Sequence, residues 1–298
     1  MEKLNICPVC EGSALSTFKE IKDHFLSQET FHLSICEKCG FVFTNPRPDE
    51  NELEKYYQSD EYLSHSKKKK GLITFLYDAV KKYALENKYK LISEIKPTGK
   101  ILDIGCATGE FLNVFQQKGW VCYGIEPAKN PRDFAIENYK LDVRPEKAID
   151  NFDNEFFDVI TMWHVLEHVP KLNERIEQIY KLLKPDGLLL IALPNYLSWD
   201  AIFYDTSWAG FDVPRHLYHF SPNTISSLLN KHKFSIGEIK PMKFDSFYVS
   251  LLSEKYKHGS LRYFSAFTKG LKSNFAAKKE HHNYSSLIYL AKKKTGEF

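Results

Sequence analysis

Two Cys-x-x-Cys pairs, Cys7 and Cys10 in "CPVC" and Cys36 and Cys39 in "CEKC", lie 25 residues apart near the amino terminus. Each tight turn can aim two thiolates at one point, and two such turns facing each other complete a tetrahedral S4 site. Pro8 stiffens the first turn, and Gly40 suits the tight backbone after the second. In a reducing cytosol, paired disulfides fit this pattern poorly. Metal binding would also supply folding energy that so small a module cannot draw from a hydrophobic core. Zinc is the expected occupant, although iron accepts the same four sulfurs. A closed S4 shell leaves no position for a substrate, so the expected role is structural. Cys106 and Cys122 stand in apolar, strand-like contexts and read as small buried residues.

A second constellation surrounds "ILDIGCATGEFL", Ile101 to Leu112. An apolar run breaks into glycines and resumes as a helix, a turn type that often holds a nucleotide. The dinucleotide fingerprint Gly-x-Gly-x-x-Gly lets a pyrophosphate approach the helix amino terminus. Here the order is Asp103, Gly105, Cys106, Ala107, Gly109: the central glycine is missing, and an acid precedes the first one. A carboxylate there repels a pyrophosphate and suits a cationic amino-acid moiety. Glu126 in "YGIEP", 21 residues after Gly105, stands where an acid accepts hydrogen bonds from ribose hydroxyls. Acid, glycine turn and ribose acid together describe a site for a nucleoside without phosphates, and S-adenosylmethionine (SAM) fits.

The elements that must position these residues follow from periodicity. Asp49 and Glu52 form an Asp version of the capping box, opening a short helix through Tyr57. The Lys67–Lys70 run reads as a solvated linker. Apolar residues at 72, 75, 76, 79, 80 and 83 predict an amphipathic helix that ends near "KPTG". Strands are then expected at Lys100–Ile104, "WVCYGIE", "FFDVITMW" and "LLLIAL". Helices are expected from Glu110 to Lys118, over "PRDFAIENYK" and from Leu172 to Leu183, with "KPDG" as a turn before the last of these strands. Continuous apolar strands alternating with helices mean a parallel sheet covered on both faces. "FSIGEIKPM" and "YSSLIYLAKK" are the last two strands, the final one expected to insert antiparallel at the sheet edge.

These motifs in this order resemble the class I SAM-dependent methyltransferases: "LDIGCATG", "YGIEP", "FDVITMWHVLEHVP" and "LLKPDGLLLIALPN" over roughly Lys100 to Met242. With the cysteine pairs, "NPRP" and "PRHLYHFSP", the layout is similar to a bacterial subgroup bearing an amino-terminal zinc-ribbon-like module. The resemblance implies an α/β fold: a Rossmann-like, mostly parallel class I methyltransferase sheet with an antiparallel last strand and a small zinc-binding module. It divides the chain into a module over 1–48, a helical linker or cap over 49–99 and a methyltransferase domain over 100–298. It further implies that Asp103 and the Gly105–Gly109 backbone, including Cys106 and Ala107, line the methionine part. Glu126 and Pro127 would hold the ribose end, with Trp163 and His164 close to the cofactor. Ala107 departs from the glycine usual in the family.

Residues 195–220 are long for a connection, and eight of the 26 are aromatic, which makes this segment a candidate substrate lid. The alternative is an apolar cluster beneath a loop. Methyl transfer is an in-line displacement that needs an aligned nucleophile and often a base. His216 is the first candidate for that base and His219 the second; Arg215 could bind an acceptor anion or pair with an acid. "HVLEH" adds His164, Glu167 and His168. Related quinone O-methyltransferases carry Glu-x-x-Glu-His there and can use a divalent metal, but His164 replaces the first acid.

The chain of 298 residues carries a net charge of +3. From Ser250 onward ten Lys and Arg stand against three Glu, a balance of +7, which leaves −4 on the first 249 residues. An acidic body argues against a large phosphate-binding face for nucleic acid. Within the expected insertion over 243–283, Phe264, Phe267, Leu271 and Phe275 lie at helical spacing among lysines. Such a helix packs on the body or a second subunit, or docks on an anionic membrane. The amino terminus has no apolar leader segment and no run of about 18 apolar residues occurs, so a cytoplasmic protein is expected. The expected activity is methyl transfer, most readily to oxygen, on a small-molecule or glycan-type acceptor. An RNA acceptor and a non-catalytic scaffold retaining the fold are the alternatives.

Overall fold

The computed structural model describes residues 1–57, 72–279 and 283–294. The Lys67–Lys70 run and the side chains of 72–79 lie outside the described residues. Strands β1 (Leu15–Lys22), β2 (Thr30–Cys36) and β3 (Val42–Thr44) form an antiparallel sheet that β9 (Tyr218–His219) completes, in the order β1-β2-β3-β9. The remaining strands are β4 (Lys100–Ile104), β5 (Val121–Ile125), β6 (Asp142–Arg144), β7 (Phe157–Trp163), β8 (Leu183–Pro194), β10 (Phe234–Pro241) and β11 (Ser286–Lys293). Their order is β10-β11-β8-β7-β4-β5-β6. β4 pairs in parallel with β5 and β7, β5 with β6, and β10 is antiparallel to β11.

By its contacts the chain divides into two compact units. Among the described residues, one comprises 1–57, His164–Ile176, 191–279 and 283–294; the other comprises 72–163 and Glu177–Leu190. In the first, α1 (Glu50–Leu53) opens on the expected capping box, with Asp49 accepting from the Asn51 and Glu52 amides. α6 (Trp199–Tyr204), α7 (Pro222–Lys231), α8 (Asp245–His258) and α9 (Tyr263–Lys279) also belong to it. Its core joins Ile21, Phe31, Leu33 and Val42 of the small sheet to Tyr196, Tyr204, Trp208 and Phe211. Six of the eight aromatic residues over 195–220 are buried, Tyr218 and Phe220 included; Trp199 and Phe203 are less covered. The aromatic density of this segment therefore builds a core against the small sheet.

The second unit holds α2 (Leu72–Ser93), α3 (Glu110–Gln117) and α4 (Lys129–Tyr139). α2 packs through its carboxyl-terminal half: Ile92 is buried and Tyr89 meets Phe115 edge-on at 5.1 Å, whereas Val80 and Tyr83 are exposed. α5 (Leu172–Leu182) precedes β8, whose range differs from expectation. The strand already starts at Leu183, so "KPDG" is its first stretch rather than a separate turn. Lys184 Nζ on the Asp158 carboxylate at 2.7 Å and Lys96 on Asp186 at 2.5 Å tie that stretch down. A further difference concerns the last strand. β10 takes the edge and β11 lies inside it, because β11 is apolar and buried along six successive residues while β10 is half exposed.

Candidate functional site

The glycine turn belongs to the second unit, where β4 passes into α3. Asp103 is buried and accepts a hydrogen bond from the Thr161 hydroxyl at 2.6 Å. Burial pushes its carboxyl up to about 7 against the bond from Thr161 and the nearby charge of Lys88, and Glu126 adds to the rise. Glu126 is buried as well: one oxygen accepts the Ala107 amide and the other the Ala128 amide, both at 2.9 Å. Burial raises this carboxyl too, with the two amides and Arg132 opposing. Arg132 also donates to the carbonyls of Glu126 and Pro127, at 2.7 and 2.9 Å, fixing the chain after β5.

The turn's amides are largely committed inside the protein. Those of Gly105 and Cys106 go to the Ile125 carbonyl at 2.7 and 3.1 Å, that of Ala107 to Glu126, and that of Gly109 to Cys106 at 2.9 Å. A phosphate cradle needs such amides pointing at the ligand, so the geometry disfavours a pyrophosphate as the sequence does. Ala107 takes the departure from glycine in the left-handed region, at φ 47°; such a residue costs on the order of 1 kcal/mol. Gly109 is left-handed at φ 75°, and a Cβ there would meet Leu141 and Ala135 at 2.7 and 2.9 Å. Only glycine lets α3 start this close to its neighbours.

Trp163 closes the end of β7 in the same unit. Its ring meets Phe111 edge-on at 5.5 Å, Lys88 Nζ sits 3.9 Å from its centre, and its buried Nε1 has no partner among the described residues. Two carboxylates, an indole donor and committed amides fit a cationic, phosphate-free nucleoside: the acids answer a sulfonium and amine, and Glu126 retains lone pairs for hydroxyls. Sequence reasoning missed Lys88 and Thr161. A lysine on a helix reads as solvated, and Thr161 inside an apolar strand reads as filler until its bond to Asp103 is seen.

The histidines gather in the first unit. Ligand atoms of Glu167, His168 and His216 lie within 4.8 Å of one another. His216 is buried, and its Nδ1 lies 2.9 Å from the Gly210 carbonyl. Since a carbonyl only accepts, Nδ1 carries the proton in that bond. His168 Nδ1 is 3.0 Å from the Arg215 carbonyl and from the Tyr57 hydroxyl, and its ring lies edge-on to His216 at 4.6 Å. Burial and the neighbouring His216 lower His168 to about 4. Glu167 is fully buried, and neither of its oxygens has a hydrogen-bond partner among the described residues. Burial favours its neutral acid, yet His164, His168 and His216 outweigh it and hold the carboxyl below its ordinary value.

His164 faces Asp245 at 3.0 Å and Glu167 at 3.5 Å; burial opposes its charge, but the two acids prevail and lift it to about 10. His219 stands on β9 opposite Val42, with Nε2 3.4 Å from the Thr44 hydroxyl, and burial keeps it neutral. Arg215 is spent on acids: its guanidinium pairs with Asp23 at 2.8 Å and Asp212 at 2.7 Å, buried among them. Asp245 and Tyr57 lie too far away in sequence to have been linked to this cluster.

The cysteines converge as their spacing predicts. Cys7 and Cys39 sulfurs are 3.6 Å apart and those of Cys10 and Cys36 3.5 Å, all four mutually within 4.8 Å. A tetrahedral zinc with bonds of about 2.3 Å places its sulfurs about 3.8 Å apart, so the four fit that ion. Asn173 donates to the Pro8 carbonyl at 2.9 Å, tying the first turn down within its unit.

Sheet, turn and acids define a class I SAM-dependent methyltransferase fold. The chain belongs to the methyltransferase-domain family, whose profile matches residues 77–238. The ubiquinone biosynthesis O-methyltransferase of Haemophilus ducreyi is 33% identical over 107 residues, 32% of this chain and 45% of that protein. The protein of the same name from Rickettsia bellii is 26% identical over 220 residues, 66% of this chain and 86% of that one. Among solved structures, the magnesium protoporphyrin IX methyltransferase of Synechocystis superposes with a TM-score of 0.54 at 14% identity, covering 83% of this chain and 100% of that one. The chain spans 45% and 60% of the length of the first two curated relatives it matches. Among the described residues no helix is long and apolar enough to cross a membrane.

Proposed function

We propose that the protein transfers the methyl group of SAM to a hydroxyl of a small-molecule or glycan-type acceptor, with His216 as the base. The observation that carries the first half is the pairing of buried Asp103 and Glu126 around a turn whose amides are largely committed. SAM, when bound, supplies an electrophilic methyl carbon. Asp103 and Glu126 bind and orient it, while Trp163 offers a hydrogen-bond donor. Oxygen as nucleophile is supported by the relatives, which are named O-methyltransferases of ubiquinone biosynthesis.

His216 would take the acceptor's proton on Nε2, since Nδ1–H is anchored on Gly210. The Glu167 carboxylate beside it would stabilise the imidazolium that forms. His219, neutral and next to Thr44, serves position rather than proton transfer. The test is turnover with labelled SAM and a panel of phenolic and glycosyl acceptors. His216→Ala should abolish transfer and leave SAM affinity within about twofold, because general bases contribute about 10²–10⁴-fold. Unchanged turnover would remove His216 from this role, and labelling of RNA alone would replace the acceptor class.

A further inference from the structure

α9 is packed the opposite way round from an ordinary surface helix. Its buried face consists of Ala266, Gly270, Ser273 and Ala277. A Cβ on Gly270 would lie 2.6 Å from the Phe247 ring of α8, so the two helices approach through small residues. The large apolar side chains form another stripe, Phe264, Phe267, Leu271 and Phe275, at spacings of three and four. They are 83%, 55%, 47% and 62% exposed. Monomers seldom leave such a contiguous patch uncovered.

Lysines stand beside this stripe and against α6. Lys257 and Lys269 ammonium groups lie 5.1 and 4.4 Å from the Phe203 ring centre, Lys272 lies 5.0 Å from that of Trp199, and Lys279 is 4.5 Å from that of Phe275. Ile202 of α6 is 70% exposed in the same neighbourhood. From Asp245 to Lys279 seven Lys and Arg oppose two acids, and one of those, Glu254, is buried.

We propose that α9 and α6 form a docking surface for bilayers containing anionic phospholipid. Phenylalanine and isoleucine side chains would enter the acyl boundary while the lysines meet the headgroups. A second copy of the chain suits this face less well, since self-association would bring the same lysines together. The proposal is independent of the methyl-transfer chemistry.

Flotation of the full chain with vesicles of phosphatidylcholine, alone or mixed with phosphatidylglycerol, tests it. Co-flotation with the mixed vesicles only, fading as salt rises, is the expected result. Phe264→Ser together with Phe275→Ser should weaken partitioning at least about tenfold. Lys269→Gln together with Lys272→Gln should weaken it about twenty-fivefold, roughly fivefold for each lysine. Both variants should keep the parent's thermal midpoint, since these side chains are not in the core. Absence of flotation with the mixed vesicles, equal flotation with neutral ones, or a dimer in sedimentation that the phenylalanine variant dissolves would each overturn the proposal.

Discussion

The two clusters of buried charge in this molecule are built on different plans. Around the glycine turn, one Asp103 oxygen accepts from Thr161 and each Glu126 oxygen accepts a backbone amide. In the other unit Glu167 is equally buried, but neither oxygen is hydrogen-bonded among the described residues, and imidazoles surround it. The second cluster holds a carboxylate kept below its ordinary value by its histidines, the setting in which the proposed proton transfer would take place. In the proposed function the first cluster binds and the second moves the proton, and substitutions should separate those effects.

The largest effect should come from the cysteine centre, because β3 pairs directly with β9, which carries His219. Stripping the metal, or Cys36→Ser, should cost several kcal/mol of stability. Calorimetric unfolding should show the melt shifting to markedly lower temperature, and turnover lost with it. An unchanged melt would mean the sulfurs do not bind a structural metal. Next, His216→Ala should lower turnover by about 10²–10⁴-fold with SAM affinity kept. Glu126→Ala should do the reverse, weakening SAM binding by about 2–3 kcal/mol, since two backbone amides also lose their acceptor. If both variants damage binding and turnover alike, the two clusters do not divide the work.

How much of this was readable in the sequence follows from chain distance. The turn and its acids fall within 26 residues, Ile101 to Glu126, so a single strand–helix–strand unit announced them. The cysteine pairs were equally readable because each is a local turn. The histidine cluster is drawn from residues 57, 164–168, 210–216 and 245, and no local pattern joins such segments. Arg215 was open between an acceptor anion and a structural acid; its partner Asp23 is 192 residues away. The aromatic run over 195–220 read as a candidate lid, yet periodicity cannot tell a wall from a core, and packing against β1, β2 and β3 buries most of it. For α9, spacing gave the stripe but not which face the fold would cover.

A smaller effect concerns Asp103 by itself. Its carboxyl titrates near 7 in the folded chain, against about 4 when unfolded. The folded state thus holds the proton more tightly, and the contribution to stability falls as pH rises between those values. Asp103→Asn should therefore stabilise the ligand-free protein above pH 7 by about 1–3 kcal/mol while weakening SAM binding. A thermal melt at pH 8 that drops in the variant would contradict this assignment.

The most direct test is calorimetric titration of the metal-loaded protein with SAM, repeated from pH 8 down to pH 6. One SAM per chain should bind, more weakly as pH falls through about 7 and Asp103 takes up its proton, while NAD gives no heat. Absence of SAM binding by well-folded protein, or binding of NAD in its place, would contradict the assignment of the Asp103–Glu126 turn.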